Sequence, residues 1–279
     1  MILELPQRKR LERFGVSRSV DIHCHCLPGL DDGPRTQEEA LALCRKIVAD
    51  GVTTAVATPH QLGRYYGANS AAVVRRAVDE LSTLLAREGI PLEVFPGGDV
   101  RVDERLLALL DAGQVLTIAD RGRYLLLELP HEVFVDPQPL LTGLRQRGVR
   151  PVMTHPERYA YLRRSWELIG SWVAQGAVIQ ITAGSLLGDF GPVAYEMAWE
   201  MAFRGLVDVV ATDAHDSQQR TPRLAAAIEM LSARIGGPLA RQVCLVNPLA
   251  ILEGAGSGGE AEKGGRGEED GGRGEGNHE

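Results

Sequence analysis

The sequence predicts an α/β fold, a distorted parallel (β/α)7 barrel, on three observations. Short apolar runs alternate with stretches of helical period from residue 16 to residue 253. The runs are rich in Val, Ile and Leu and too short for helices, as buried parallel strands are. Almost every run ends in a histidine or a carboxylate. A parallel barrel gathers all such strand ends at one mouth, whereas an open sheet spreads them along an edge.

The elements follow in order. The strand runs are "SVDIHCH", "VTTAVATPH", "LEVFPGGDV", "YLLLELP", "VRPVMTHPE", "AVIQITAGS" and "VDVVATDAHD". Between the first two, "TQEEALALCRKIVADG" offers Thr36 as N-cap, Glu39 three residues on, and Gly51 as a stop. In "NSAAVVRRAVDELSTLLAREG", Val73, Val74, Ala77, Val78, Leu81, Leu84 and Leu85 share one face, and Gly89 ends the helix. "QPLLTGLRQRG" and "SWELIGSWVAQG" behave alike. No GxGxxG follows the first strand, which disfavours a dinucleotide fold.

Composition narrows the function. Of 279 residues, 44% are hydrophobic and 24% charged, as in a soluble globular protein. Net charge is −7, and the stretch from Gly254 holds seven acids against three bases, so nothing suggests a nucleic-acid surface. No apolar run reaches the roughly 20 residues that span a bilayer. "MILELPQRKRLERFG" lacks the apolar core of a secretory signal. A cytoplasmic location is the expectation. Cys24, Cys26, Cys44 and Cys244 form no disulfide framework, which fits reduced thiols. Residues 1–17 read as an N-terminal extension and 18–253 as the barrel. Residues 254–279, with eleven glycines and no large apolar side chain, read as a disordered tail.

The chemistry lies at the strand ends. Residues i and i+2 of a strand face the same way, so His23 and His25 share one face and Cys24 and Cys26 the other. Five histidines fall at predicted strand ends: His23, His25, His60, His155 and His215. Asp99, Glu128 and Asp213 accompany them, while His131 is left over in a loop. Histidines with carboxylates make a mixed nitrogen–oxygen metal site of zinc, manganese or iron type. A lone strand-end histidine is more often structural, but five with three acids at one mouth favour metal. "PGGDV" and "DDG" read separately are ordinary turns, with Asp31 a cap. No cysteine is followed by the Cys-x5-Arg phosphate loop of thiol phosphatases. Clustered divalent ions would neutralise negative charge and lower the pKa of a bridging water. Arginine would add bidentate contacts.

The motifs "DIHCHCLPGLDDGP", "TPH", "GGDVRV", "LLLELP", "THPERY" and "ATDAHD", then "RTP", resemble the polymerase-and-histidinol-phosphatase (PHP) family. More narrowly, they resemble its bacterial manganese-dependent tyrosine-protein phosphatases linked to capsule and exopolysaccharide synthesis. The resemblance runs from Val20 to about Leu252. It implies a PHP-type (β/α)7 barrel with three manganese ions, although zinc, iron or cobalt also suit such ligands. One ion would sit on His23, His25 and Asp213, a second on Glu128 and His155, and a third on Asp32, His60 and His215. Asp99 would bridge the first two; the family usually has glutamate there, one methylene longer. Arg158 and Arg220 would face the phosphate. The implied reaction is hydrolysis by a metal-activated hydroxide without a phosphoenzyme. The implied partner is a phosphotyrosine protein, the tail of a bacterial tyrosine kinase. A histidinol-phosphate or other small-molecule phosphatase and a catalytically silent PHP module are the alternatives.

Overall fold

The computed structural model describes residue 11 and residues 18–255. The rest of the predicted N-terminal extension, and of the predicted tail beyond Ala255, lie outside the described residues. Leu11 itself is buried and sits against Gly51.

Among the described residues, nine short strands form two parallel sheets. The first contains β1 (Val20–Cys24), β2 (Thr54–Ala57) and β4 (Glu93–Pro96), in that order. The second runs β3 (His60–Gln61), β5 (Asp99–Arg101), β6 (Tyr124–Glu128), β7 (Arg150–Thr154), β8 (Val178–Thr182) and β9 (Val209–Ala211). The run "VTTAVATPH" is thus split into β2 and β3 at Thr58–Pro59, and "LEVFPGGDV" into β4 and β5 at Gly97–Gly98. Close approach explains the glycines. A Cβ on Gly97 would lie 2.6 Å from the Val56 side chain, and one on Gly98 would lie 2.3 Å from that of Gln61. The two sheets also touch at the chain's extremes. Cys24 bridges Ala214 in parallel, His25 N donates to Ala214 O at 2.9 Å, and Asp213 N donates to His23 O at 2.9 Å.

Helices fill the intervals. In Gln37–Ala49, Thr36 caps the N-terminus by accepting from Glu39 N, and Gly51 follows at φ +101. In Ala71–Arg87 the expected stripe packs inward, with Val74, Val78, Leu81 and Leu85 buried. Gly191–Phe203 and Leu224–Ile235 follow β8 and β9. The former reads poorly as amphipathic because Ala194, Met197, Ala198, Trp199, Met201 and Ala202 are all buried.

The apolar interior has two parts. The larger part lies between strands and helices and includes Leu125, Leu127, Met153, Ile179, Ile181 and Val210. The smaller collects the alternate residues Tyr124, Leu126, Val152, Val178, Val209 and Ala211, closed by Ile118, Ile251 and Leu252. Period two carries the smaller face onward from Leu126 to Glu128 and from Ala211 to Asp213. In β1 the register shifts between Asp21 and Cys24. Val20 and Ile22 therefore join the smaller cluster, while Cys24 and Cys26 join the larger.

Candidate metal centre

The polar residues that continue the smaller core meet at the strand ends. Four overlapping sets of side chains bring ligand atoms within 4.8 Å of one another. They are His23, His25 and Asp213; His23, Asp99 and His155; His60, Asp99 and Glu128; and His25, Asp32, His60 and His215. Every residue expected from the sequence to bind metal is in at least one set. The grouping differs in detail from that implied by the resemblance. Glu128 sits with His60 and Asp99 rather than with His155, and His155 sits with His23 and Asp99.

The histidines are oriented from behind. His25 Nδ1 donates to Asp31 Oδ2 at 2.7 Å, His23 Nδ1 to Gln180 Oε1 at 2.9 Å, and His215 Nδ1 to the Asp213 carbonyl at 3.0 Å. In the neutral ring each bond fixes the tautomer and leaves Nε2 for the centre. Asp213 Oδ1 then stands 3.3 Å from both His23 Nε2 and His25 Nε2. His60 is shared: Nδ1 is 3.4 Å from Asp99 Oδ2 and 3.5 Å from Glu128 Oε2, and Nε2 is 3.4 Å from Asp32 Oδ1. His155 and Asp213 have left-handed backbones, φ 36 and 51, conformations that non-glycine residues hold where surroundings impose them.

Sequence reasoning missed the outer partners. Asp31 is more than a turn cap: it also accepts from Gly33 N and from His60 N, tying the "DDG" turn to two candidate ligands. Gly33 passes so near β1 that a Cβ there would meet the His25 carbonyl at 2.5 Å. Gln180, a polar residue inside the apolar run "VIQIT", was the visible signal for its own role. Arg101 lies two residues beyond Asp99 and pairs with Glu128 at 3.0 Å. His131, left over in the sequence, stands on the rim, its ring stacked on His155 at 5.6 Å.

Burial and charge set the protonation pattern. Burial works to lower His60, but Asp32 and Asp99 outweigh it and push its pKa up to about 11. The same contest, with Asp31 the winning neighbour, takes His25 to about 9. Burial and then Arg158 hold His155 well below its ordinary value. Burial raises Glu128 to about 7, with Asp99 adding to the effect. Burial opposes ionisation of Asp99, yet His23 and His60 keep its carboxyl below the usual range.

These groups fit metal ions. Both carboxylate oxygens of Asp99, Nδ1 of His60, Nδ1 of His155 and Nε2 of His215 are buried without a hydrogen-bond partner. Native interiors pair nearly all such atoms. Five orphaned donor atoms of metal-binding type in one place are what divalent cations would satisfy. Above them opens a cavity of about 340 Å³, lined among others by His60, Tyr65, Arg101, His131, Arg158 and Arg220. Arg158 Nη1 and Arg220 Nη2 both reach Asp213 Oδ2, at 2.5 and 2.6 Å. No cysteine lines it, and all four are buried elsewhere.

A parallel α/β chain with a histidine–carboxylate centre at its strand ends, roofed by arginines, has the architecture of a metal-dependent hydrolase. The family described as "Capsular polysaccharide synthesis, CpsB/CapC" matches residues 19–253, and the chain belongs to it. It is 35% identical to the tyrosine-protein phosphatase YwqE of Bacillus subtilis (strain 168) over 221 residues, 79% of this chain and 86% of the relative. It is 26% identical to the tyrosine-protein phosphatase CpsB of Streptococcus pneumoniae over 241 residues, 84% and 98% of the two chains. The fold is shared with a chain from the crystal structures of YwqE and CpsB, described as "unique metal-dependent tyrosine phosphatases". The TM-score is 0.81 at 33% identity, covering 85% of this chain and 95% of that one.

Proposed function

We propose that this protein is a metal-dependent phosphomonoesterase that hydrolyses phosphotyrosine in proteins. Its substrate would be a bacterial tyrosine kinase that serves capsular or exopolysaccharide synthesis, in the cytoplasm. One observation carries the reading: nine candidate ligands converge beneath two guanidinium groups, in a chain whose relatives are tyrosine-protein phosphatases. The catalytic unit is residues 18–253, and the two sheets together make the distorted (β/α)7 barrel. Two ladders, β1-β2-β4 and β3-β5-β6-β7-β8-β9, are joined by chain continuity through Thr58–Pro59 and Gly97–Gly98, and the Cys24–Ala214 bridge brings β1 to the segment after β9, which supports this reading.

His23, His25, Asp32, His60, Asp99, Glu128, His155, Asp213 and His215 would hold the ions, manganese by preference and three in number. Bound divalent ions supply charge neutralisation and a water acidic enough to attack phosphorus near neutral pH. The chain's own groups do the rest. Asp31 and Gln180 keep His25 and His23 aimed inward. Arg158 and Arg220, which rest on Asp213, would take phosphoryl oxygens in bidentate fashion. Tyr65, stacked parallel to His60 at 5.6 Å, gives the mouth an aromatic wall suited to an aryl ester. With a metal-activated hydroxide as the attacking group, the phosphoryl group would pass directly to water without a phosphoenzyme. The test is phosphate release from a phosphotyrosyl peptide and from histidinol phosphate, with manganese added after chelation. Faster turnover of the peptide is expected. Preference for histidinol phosphate would overturn the substrate, and inactivity on both would overturn the function.

A further inference from the structure

The two arginines at the mouth share more than Asp213. The Arg158 guanidinium carbon lies 4.2 Å from the centroid of the Phe190 ring, and that of Arg220 lies 5.8 Å from the same centroid. Arg158 comes from the turn after β7 and Arg220 from the loop after β9, so one ring from the segment after β8 joins two otherwise separate pieces of chain. Neither arginine has a second carboxylate partner among the described ion pairs.

The ring's seat is built. Phe190 packs on Gly184, where a Cβ would stand 2.9 Å from the ring edge. Next to it, Asp189 pairs with Arg223 at 2.6 Å, and Asp189 N donates to Gly184 O at 2.9 Å. Arg223 is three residues beyond Arg220, so the ion pair ties the ring's segment to the segment that carries the second arginine. Gly188 and Gly191 bracket this turn at φ +90 and +84.

The geometry points to Phe190 as a positioning residue for phosphate recognition, a role that rests on the function proposed above. Two cations side by side repel, and a carboxylate alone would hold them collapsed onto Asp213. An aromatic face attracts both without offering an acceptor that competes with phosphoryl oxygens. The guanidinium planes are held from the side, so that N–H groups not bonded to Asp213 can turn toward the ester. Such preorganisation lowers the reorganisation cost when phosphate arrives. Phe190 belongs to none of the ligand sets and does not line the cavity, so its loss should spare metal.

The experiment compares the manganese-loaded wild type with Phe190→Leu and Phe190→Tyr. Readouts are kcat and KM for a phosphotyrosyl peptide, inhibition by inorganic phosphate, bound manganese, and Tm. For Phe190→Leu we expect about tenfold lower kcat/KM and about tenfold weaker phosphate inhibition, the scale of losing one partly desolvated cation–π contact. Manganese content should be unchanged. Phe190→Tyr, which keeps the ring, should restore both values whatever its Tm. Unchanged phosphate inhibition in Phe190→Leu, or a Phe190→Tyr variant as impaired as Phe190→Leu, overturns the proposal while leaving the function standing. A wild type that neither cleaves the peptide nor is bound by phosphate overturns the function and this role with it.

Discussion

Asp99 sits where two ligand sets overlap. It is fully buried, belongs to two of the four ligand sets, and has both oxygens unpaired by hydrogen bonds. Its short side chain still brings Oδ2 within 3.6 Å of His23 and 3.4 Å of His60. Asp99→Asn keeps the shape and removes the charge. We expect manganese content to drop and kcat/KM to fall more than about 100-fold, beyond the roughly 10–100-fold typical of outer partners. Arg158→Ala should instead retain the metal and lose about 100–1,000-fold in kcat, as when one transition-state donor is removed. Elemental analysis with steady-state kinetics separates the two outcomes. Protons offer a second test at this scale. Metal binding needs neutral imidazoles, and in the metal-free protein His25 and His60 hold theirs up to about pH 9 and 11. Loading with manganese at pH 7.5 should therefore release protons, and affinity should rise as pH climbs toward 9. Calorimetry in buffers of different ionisation enthalpy reads the release directly; an affinity flat across that range would contradict it.

At the scale of elements, β1 shows how much the sequence discloses and where it stops. Alternation alone placed His23 and His25 on one face and Cys24 and Cys26 on the other, and the two cysteines are found in the outer core. Replacing both by alanine should keep full manganese content and activity and cost about 1–3 kcal/mol of stability, the scale of small buried truncations. Loss of metal would mean that the thiols are ligands. Alternation could not reveal the register shift that puts Ile22 in the smaller core, because an irregularity in a ladder depends on the partner strand. Nor could it show Asp21, at the head of "DIHCH", reaching across to accept from Thr212 N and the Thr212 hydroxyl. Burial raises the Asp21 pKa to about 6 against those two hydrogen bonds. A carboxyl raised in the folded state favours folding fully below its unfolded value, 3.8, and loses that contribution as pH rises through about 6. Asp21→Asn does not titrate, so between pH 4 and 6.5 the wild type should lose about 2 kcal/mol relative to the variant. Paired urea unfolding across that range measures it, and a constant difference would show that burial does not control the group.

Across the whole molecule, the ligands come from segments spread along nearly the full length of the fold, from His23 in β1 to His215 beyond β9. Position in each run was legible because strand ends are marked by composition. The pairing of Glu128 with His60 rather than His155 was not, since it depends on how β5 and β6 stagger. The same spread links the metal to stability. β1 and the segment just after β9 meet at the Cys24–Ala214 bridge and through hydrogen bonds of His23 and His25, beside the candidate ligands. The described residues leave several buried donor atoms there unpaired, a state that weakens the folded form more than the unfolded one. Divalent ions that bind only the folded chain remove that penalty and add binding free energy, about 2.7 kcal/mol per ion at 100 times its dissociation constant. For a domain of this size each kcal/mol moves Tm by about 2–4 °C. Chelation should therefore lower Tm by about 5–10 °C for every tightly held ion removed, and excess manganese should restore it. The shift should shrink in Asp99→Asn, which removes a member of two of the four ligand sets, whereas Arg158→Ala should keep it. A wild-type Tm indifferent to chelation would separate the converging histidines from metal binding altogether.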